Sequence, residues 1–214
     1  MVIPYSLHNY LEEEIFPLYE HFDAAHRLDH VRTVVNESLK LAPYYEVDIT
    51  MVYTIAAYHD VGLCQGREYH HQVSAQMLQA DKRLREWFTE EQISIMSQAV
   101  EDHRASNQHI PRSIYGKIVA EADRVIDPIL ILQRTIQYGL HHYPQLTPQE
   151  HYQRFIQHLH EKYATGGYLK LWIPQSSNAV KLEELRRIIA NKQTLDVWFE
   201  KLFRIENNKM ENNS

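Results

Sequence analysis

The chain has 214 residues, 44% of them hydrophobic, which is typical of a soluble globular protein with a sizeable core. Its formal net charge of −6 gives no overall basic field, so we expect no nucleic-acid polymer among its partners. We see neither a membrane-length apolar stretch nor a signal peptide, and we predict a cytoplasmic protein with no membrane partner. The one cysteine, Cys64, rules out an internal disulfide, fits a reducing compartment and is expected to be buried.

Helical periodicity runs through almost the whole chain, and 6 glycines are too few for a turn-rich β fold. Thr89 and Thr147 each precede a Gln or Glu by three residues, which is the capping-box pattern of a helix start. We therefore predict an all-α protein. Helices are predicted over residues 7–22 with a kink or break at Pro17, from the His30 region to Pro43, from the N-cap Asp48 to Asp60, from His70 past Leu78, from Thr89 to His103, from Ile114 through a kink at Pro128 to Tyr138, from Thr147 to Tyr163, and over residues 178–190 and 194–205.

Two breaker regions, Gly166-Gly167 and residues 174–178, interrupt the second half of the chain. We predict one helical domain over residues 1–170, with a C-terminal helical extension, residues 171–214, packed on it. The polar tail from about residue 207 is predicted to fray.

The pair His59-Asp60 ends an apolar helical run and lies on its core-facing rows. A buried carboxylate beside a buried imidazole is unfavourable unless something pairs with both, and a divalent cation is one such partner. For an isolated pair, a simple His–Asp hydrogen bond at a helix end is the preferred interpretation, so the rest of the chain must decide.

Other histidines and carboxylates also fall near helix ends or on core-facing rows. Imidazole and carboxylate together suit Mn, Fe, Co, Ni or Zn, and Mg less well. Two histidines and two aspartates can hold one ion and leave positions open for water, as catalytic metal sites do. Two further histidines could hold a second ion, with Asp60 bridging. The candidates are His30, His59, Asp60, His70, His103 and Asp123.

These residues stand in motifs that resemble those of the HD superfamily of metal-dependent phosphohydrolases. The resemblance covers roughly residues 20–140 and implies a single HD-type helical bundle. The motifs are Leu28-Asp29-His30-Val31-Arg32, Ala56-Ala57-Tyr58-His59-Asp60-Val61-Gly62, His70-His71-Gln72-Val73-Ser74-Ala75, Glu101-Asp102-His103 and Glu121-Ala122-Asp123-Arg124. By position, the resemblance implies one metal ion on His30, His59, Asp60 and Asp123, and a second on His70 and His103, with His71 and His109 as next candidates.

The resemblance further implies hydrolysis of a phosphomonoester or phosphodiester, with a nucleotide or another small phosphorylated molecule as substrate. One or two divalent ions per chain are expected (Mn, Fe, Co, Ni, Zn or Mg), and Asp60 is the catalytic candidate that orients the attacking water. Two alternatives stay open: an HD-type di-iron oxygenase and a nucleotide-binding sensor without turnover. A homodimer is also left open. Cations near the motifs that could offset phosphate charge are Arg67, Arg104, Arg112, Lys117 and Arg124.

Overall fold

The computed structural model describes residues 2–21, 28–107 and 109–211, and the regular structure within these ranges is helical, with no strand. The predicted all-α class is confirmed; Phe22, from the first predicted helix, lies outside the described residues. No described helix is long and apolar enough to cross a bilayer. The α-helices are α1 (Tyr5–Tyr10), α2 (Leu28–Leu41), α3 (Ile49–Tyr58), α4 (His70–Ala80), α5 (Glu90–Asp102), α6 (Ile114–Asp123), α7 (Pro128–His142), α8 (Pro148–Tyr163), α9 (Asn178–Ala190) and α10 (Lys192–Glu211).

The chain folds as two compact units. The first comprises Met1–Val125 and Leu171–Ser176, and the second comprises Ile126–Lys170 and Ser177–Ser214. Helices α1 to α6 therefore belong to the first unit and α7 to α10 to the second. The border of the HD domain at residue 170 stays a prediction.

Side-chain caps confirm three predicted helix starts. Ahead of α3, Asp48 accepts a hydrogen bond of 2.8 Å from the backbone N–H of Thr50. Thr89 and Thr147 begin α5 and α8 with complete capping boxes, in which the residue three positions later returns a bond to the cap. These caps satisfy N–H groups that a helix leaves unpaired at its first turn.

The first predicted helix is instead three short segments. After α1, a π-helical turn covers Leu11–Ile15 and a 3-10 helix covers Phe16–His21. Each change of pitch rotates the side chains about the axis, so a row extrapolated at 3.6 residues per turn loses its register. Consequently Leu18, which a regular helical row through Leu7, Leu11 and Ile15 would bury, is 39% exposed, whereas Tyr19 is fully buried.

Two later boundaries also differ from the prediction. Helix α6 ends at Asp123, and Pro128 is the first residue of α7, where its fixed φ angle suits a helix start, rather than a kink in α6. Helix α10 continues to Glu211, so fraying is wrong for residues 207–211. The buried carboxylate of Glu206 binds side chains of α7, which holds this end of α10 in place.

Helix α3 forms the centre of the first unit. All its residues from Thr50 to Tyr58 are buried, because α2, α5 and α6 pack against it. The helix therefore carries its C-terminal His59-Asp60 pair into the core. Beyond that pair the chain enters the 3-10 segment Val61–Gln65, and there Cys64 is exposed, contrary to the prediction.

Candidate metal centre

Five helix ends converge in the first unit, and each brings a predicted ligand. His59 is the C-cap residue of α3, His103 is the C-cap residue of α5, and Asp123 is the last residue of α6. His30 lies in the first turn of α2, and His70 is the first residue of α4. Asp60 follows His59 directly, so six side chains from distant parts of the sequence meet.

Three of the imidazole rings are oriented by the same hydrogen bond. In each, Nδ1 lies 2.6–2.7 Å from the backbone carbonyl oxygen three residues earlier. Because a carbonyl oxygen only accepts, Nδ1 carries the proton and Nε2 keeps its lone pair, which is the tautomer of a metal-binding histidine. The three are His59, His70 and His103.

The first cluster comprises His30, His59, Asp60 and Asp123. Nε2 of His30 lies 3.1 Å from Asp123 Oδ1 and 4.0 Å from Asp60 Oδ2. Nε2 of His59 lies 3.4 Å from Asp60 Oδ2 and 3.8 Å from Asp123 Oδ1. Bonds of about 2.0–2.2 Å to one ion place neighbouring ligand atoms about 3–4 Å apart, so these separations fit a shared ion.

The second cluster comprises His70, His103 and the other oxygen of Asp60. Nε2 of each histidine lies 3.3 Å from Asp60 Oδ1, and the three ligand atoms lie within 4.8 Å of one another. Since Asp60 Oδ2 faces the first cluster, the two clusters share one carboxylate.

The Nε2 atom of His59 favours a metal ion over a purely hydrogen-bonded cluster. The ring is fully buried, and Nε2 makes no hydrogen bond within the described chain. Burial lowers the pKa of His59 to about 4, so the ring is neutral near pH 7 and its Nε2 lone pair is unused. A buried acceptor without a partner is unfavourable, and a divalent cation would satisfy it. The residues present therefore fit a divalent metal ion.

Both carboxyl groups of the centre remain charged. Burial alone raises a carboxyl pKa, but the imidazoles of His59 and His103 hold the pKa of Asp60 well below its usual range. The hydrogen bond with His30, together with His59, does the same for the pKa of Asp123. The centre thus concentrates two negative charges in a largely buried space, which a divalent ion balances.

In the part of the chain that the structure describes, the first cluster is exposed to solvent at His30 and Asp123. The side chains of His30 and Asp123 are 20% and 23% exposed, whereas those of His59 and His103 are 0% and 2% exposed. Water or a substrate can therefore reach the centre between the start of α2 and the end of α6. Such access distinguishes a catalytic metal site from a closed structural one.

Tyr19 binds the backbone beside the centre, and the sequence did not predict this role. Its buried hydroxyl donates a 2.9 Å hydrogen bond to the carbonyl of Ala57 and accepts one of 3.2 Å from the N–H of Asp60. Both bonds fix the backbone at the end of α3. The tyrosine precedes Asp60 by 41 positions in a segment without a motif, so no local signal marks it.

The next-best sequence candidates lie outside the two clusters. His71 is buried beside His70, with ring centroids 5.5 Å apart, but its Nδ1 lies 3.4 Å from Nη1 of Arg104. His109 is exposed and lies 3.7 Å from Asp102. Neither histidine faces Asp60.

Part of the chain is similar to a known family of proteins. The family model of the HD domain matches residues 27–126, a range that contains all six residues of the two clusters. Among solved structures, a predicted HD superfamily hydrolase from an uncultured Thermotogales bacterium is 24% identical to this chain, covering 57% of it and 68% of that protein, with a TM-score of 0.48. No curated protein matches the chain. Residues 27–126 of the chain are therefore similar to the HD domain.

Proposed function

We propose that this protein is a metal-dependent hydrolase of phosphoester bonds, acting on a phosphomonoester or phosphodiester of a nucleotide or another small phosphorylated molecule. The HD domain supports the hydrolase class. The observation that carries the proposal is the position of Asp60, whose two carboxylate oxygens lie 3.3 and 3.4 Å from histidines of different clusters.

The ligands divide between two proposed ion positions. A bound divalent ion lowers the pKa of a coordinated water and polarises a phosphoryl oxygen. His30, His59, Asp123 and Asp60 Oδ2 would hold one ion, and His70, His103 and Asp60 Oδ1 would hold the other.

Asp60 is the proposed catalytic residue. Its side chain is buried and ionised, and Tyr19 binds its backbone N–H, which holds the backbone of Asp60 in place. From there it can accept a hydrogen bond from an attacking water and direct it. Asp60→Asn keeps the shape but removes the charge and the proton acceptor, so turnover should fall more than substrate binding.

The test is a panel of phosphoesters, including nucleotides, offered to protein loaded with Mn, Co or Ni. We expect release of phosphate or of a nucleoside product, its loss on chelation and its return with the metal. Asp123→Ala should abolish the activity because it removes a ligand of the first cluster. A loaded parent that hydrolyses no member of the panel would contradict the proposal.

A carboxylate shared between two histidine clusters also supports a di-iron oxygenase. Anaerobic purification followed by metal analysis separates the two enzymes. Two irons per chain, oxygen consumption and no hydrolysis would favour the oxygenase. Nucleotide binding without either reaction would favour a sensor, although the complete ligand set supports turnover.

A further inference from the structure

The cations near the motifs differ in what their side chains already bind. Arg112 pairs with Asp102 and Glu101, and Arg124 is buried with its guanidinium donating to its own helix. Both side chains therefore stabilise the fold of the first unit. Arg104 contacts His71, whose ring packs against that of the cluster histidine His70.

Arg104 directly follows His103 in the chain. Its Nη1 donates to the carbonyl oxygen of Glu68 and lies 3.4 Å from Nδ1 of His71, whose ring packs against that of His70. Its Nε and Nη2 make no hydrogen bond with any residue in the described part of the chain. The guanidinium is therefore anchored on one side beside the second cluster, with a free N–H edge on the other.

An anchored guanidinium of this kind suits an anion. The Nε and Nη2 donors are planar and match two oxygens of a phosphate group. Once the clusters hold divalent ions, a permanent cation beside them is repelled unless an anion lies between. A bound phosphate group removes that repulsion.

We propose that Arg104 binds the phosphoryl group of the substrate and selects a terminal phosphate over an internal phosphodiester. The inference rests on the proposed function and names the substrate class of the same site. A phosphoryl group that places one oxygen at each cluster and a third at Arg104, whose second N–H shares the oxygen at the second cluster, uses three non-bridging oxygens. A phosphomonoester or the end of a nucleotide chain has three, whereas a diester has two.

The first test measures binding of inorganic phosphate to Mn-loaded protein by calorimetry, with metal content determined on the same samples. Arg104→Gln should weaken phosphate binding about ten- to a hundredfold, the effect of losing a charge-assisted hydrogen bond, without loss of metal. Arg104→Lys keeps the charge and a donor for Glu68, so it should recover part of the affinity. Arg187→Gln removes an equal charge from an exposed position of the second unit and should leave binding unchanged.

The second test compares kcat/KM for a phosphomonoester and a phosphodiester. Arg104→Gln should lower the value for the monoester about tenfold or more, and the value for the diester much less. Equal losses on both substrates would overturn the selection of terminal phosphate.

The outcomes separate this inference from the proposed function. Unchanged phosphate binding in Arg104→Gln, no phosphate binding by the parent, or an equal loss in Arg187→Gln would overturn the role of Arg104, even if the parent hydrolyses phosphoesters. Phosphate binding that depends on Arg104 in a parent that hydrolyses no phosphoester would support the role of Arg104 and contradict the proposed function.

Discussion

In three imidazoles of the centre the two ring nitrogens have different partners, and a backbone hydrogen bond determines which nitrogen faces a carboxylate. At His59, His70 and His103 the backbone carbonyl three residues earlier accepts a hydrogen bond from Nδ1–H. Nε2 then points at a carboxylate oxygen with its lone pair available. This tautomer, as much as the side-chain type, makes each of the three a candidate metal ligand.

Removing a histidine from the first cluster should affect the metal content differently from removing a histidine from the second cluster. His59→Ala should abolish metal binding at the first position, whereas His103→Ala should lower the stoichiometry by about one ion and leave the first ion bound. Metal analysis of fully loaded proteins, with circular dichroism to verify the fold, measures both. His141→Ala is the control, because His141 is exposed on α7. Full stoichiometry in His103→Ala would remove that residue from the centre.

Tyr19→Phe should weaken metal binding although the residue touches no ion. The change takes away the hydroxyl that bonds Ala57 and Asp60, and unpaired buried backbone groups cost about 1–3 kcal/mol. Metal titration should show lower affinity, and thermal melting should show a lower Tm. Tyr138→Phe, at an exposed position, serves as the matched control. Equal titration curves for Tyr19→Phe and the parent would show that the hydroxyl does not position Asp60.

At the scale of helices, local chemistry predicts starts better than ends. Asp48, Thr89 and Thr147 each bind the N–H groups of their own helix, so a few neighbouring residues suffice to predict them. The pitch changes over residues 11–21 and the length of α10 depend on distant contacts. Periodicity does not contain such contacts, and those boundaries could not be predicted.

In the candidate site, too, features set by neighbouring residues could be predicted and features set by distant contacts could not. Motif order predicted the six residues that the structure brings together, because each occupies a recognisable local pattern; their role as metal ligands stays a prediction. It did not predict that the two oxygens of Asp60 face different histidines, nor that Arg104 lies beside His71. Both facts depend on how separate helices pack, as does the buried position of Tyr19.

Helix α10 is held against α7 by Glu206, and this contact should depend on pH. The buried carboxylate accepts hydrogen bonds of 2.7–2.8 Å from Gln133, Gln137 and Lys209. Burial acts against ionisation, but these donors, Lys209 first, lower the pKa of Glu206 below its ordinary value of 4.5. A carboxyl with a lowered pKa stabilises the fold above that ordinary value and loses its contribution as the pH falls.

Glu206→Gln should therefore destabilise the protein at neutral pH by about 1–3 kcal/mol and by less in acid. Chemical denaturation followed by circular dichroism at pH 7 and near pH 4 measures the difference. Glu200→Gln changes the same charge at an exposed position of the same helix and should show neither effect. A pH-independent difference between Glu206→Gln and the parent would contradict the linkage.

At the scale of the whole molecule, two separate segments of the chain belong to the first unit. The chain leaves this unit after Val125, forms part of the second unit, returns as Leu171–Ser176 and leaves again. The returning segment is held by a carboxylate in α6, the helix that ends in the proposed ligand Asp123. Helix α6 therefore carries both a proposed metal ligand and the carboxylate that binds the returning segment.

That carboxylate belongs to Glu121, and its removal should loosen the returning segment. Glu121 is fully buried; it accepts hydrogen bonds from the N–H groups of Trp172 at 2.7 Å and Ile173 at 3.4 Å, and from the hydroxyl of Ser176. Glu121→Ala leaves those donors without this acceptor, at about 1–3 kcal/mol for each buried group, so their amides should lose protection from hydrogen exchange.

Hydrogen exchange measured by NMR or mass spectrometry tests this over residues 171–176, beside exchange in α5 as an internal reference. Glu121→Gln keeps a carbonyl acceptor of the same shape and should retain part of the protection. Glu184→Ala, at an exposed position of α9, should leave the exchange rates unchanged. Because α6 also carries Asp123, a loosened α6 should weaken metal binding in Glu121→Ala more than in Glu121→Gln. Full protection of Trp172 and Ile173 in Glu121→Ala would show that other contacts hold the returning segment.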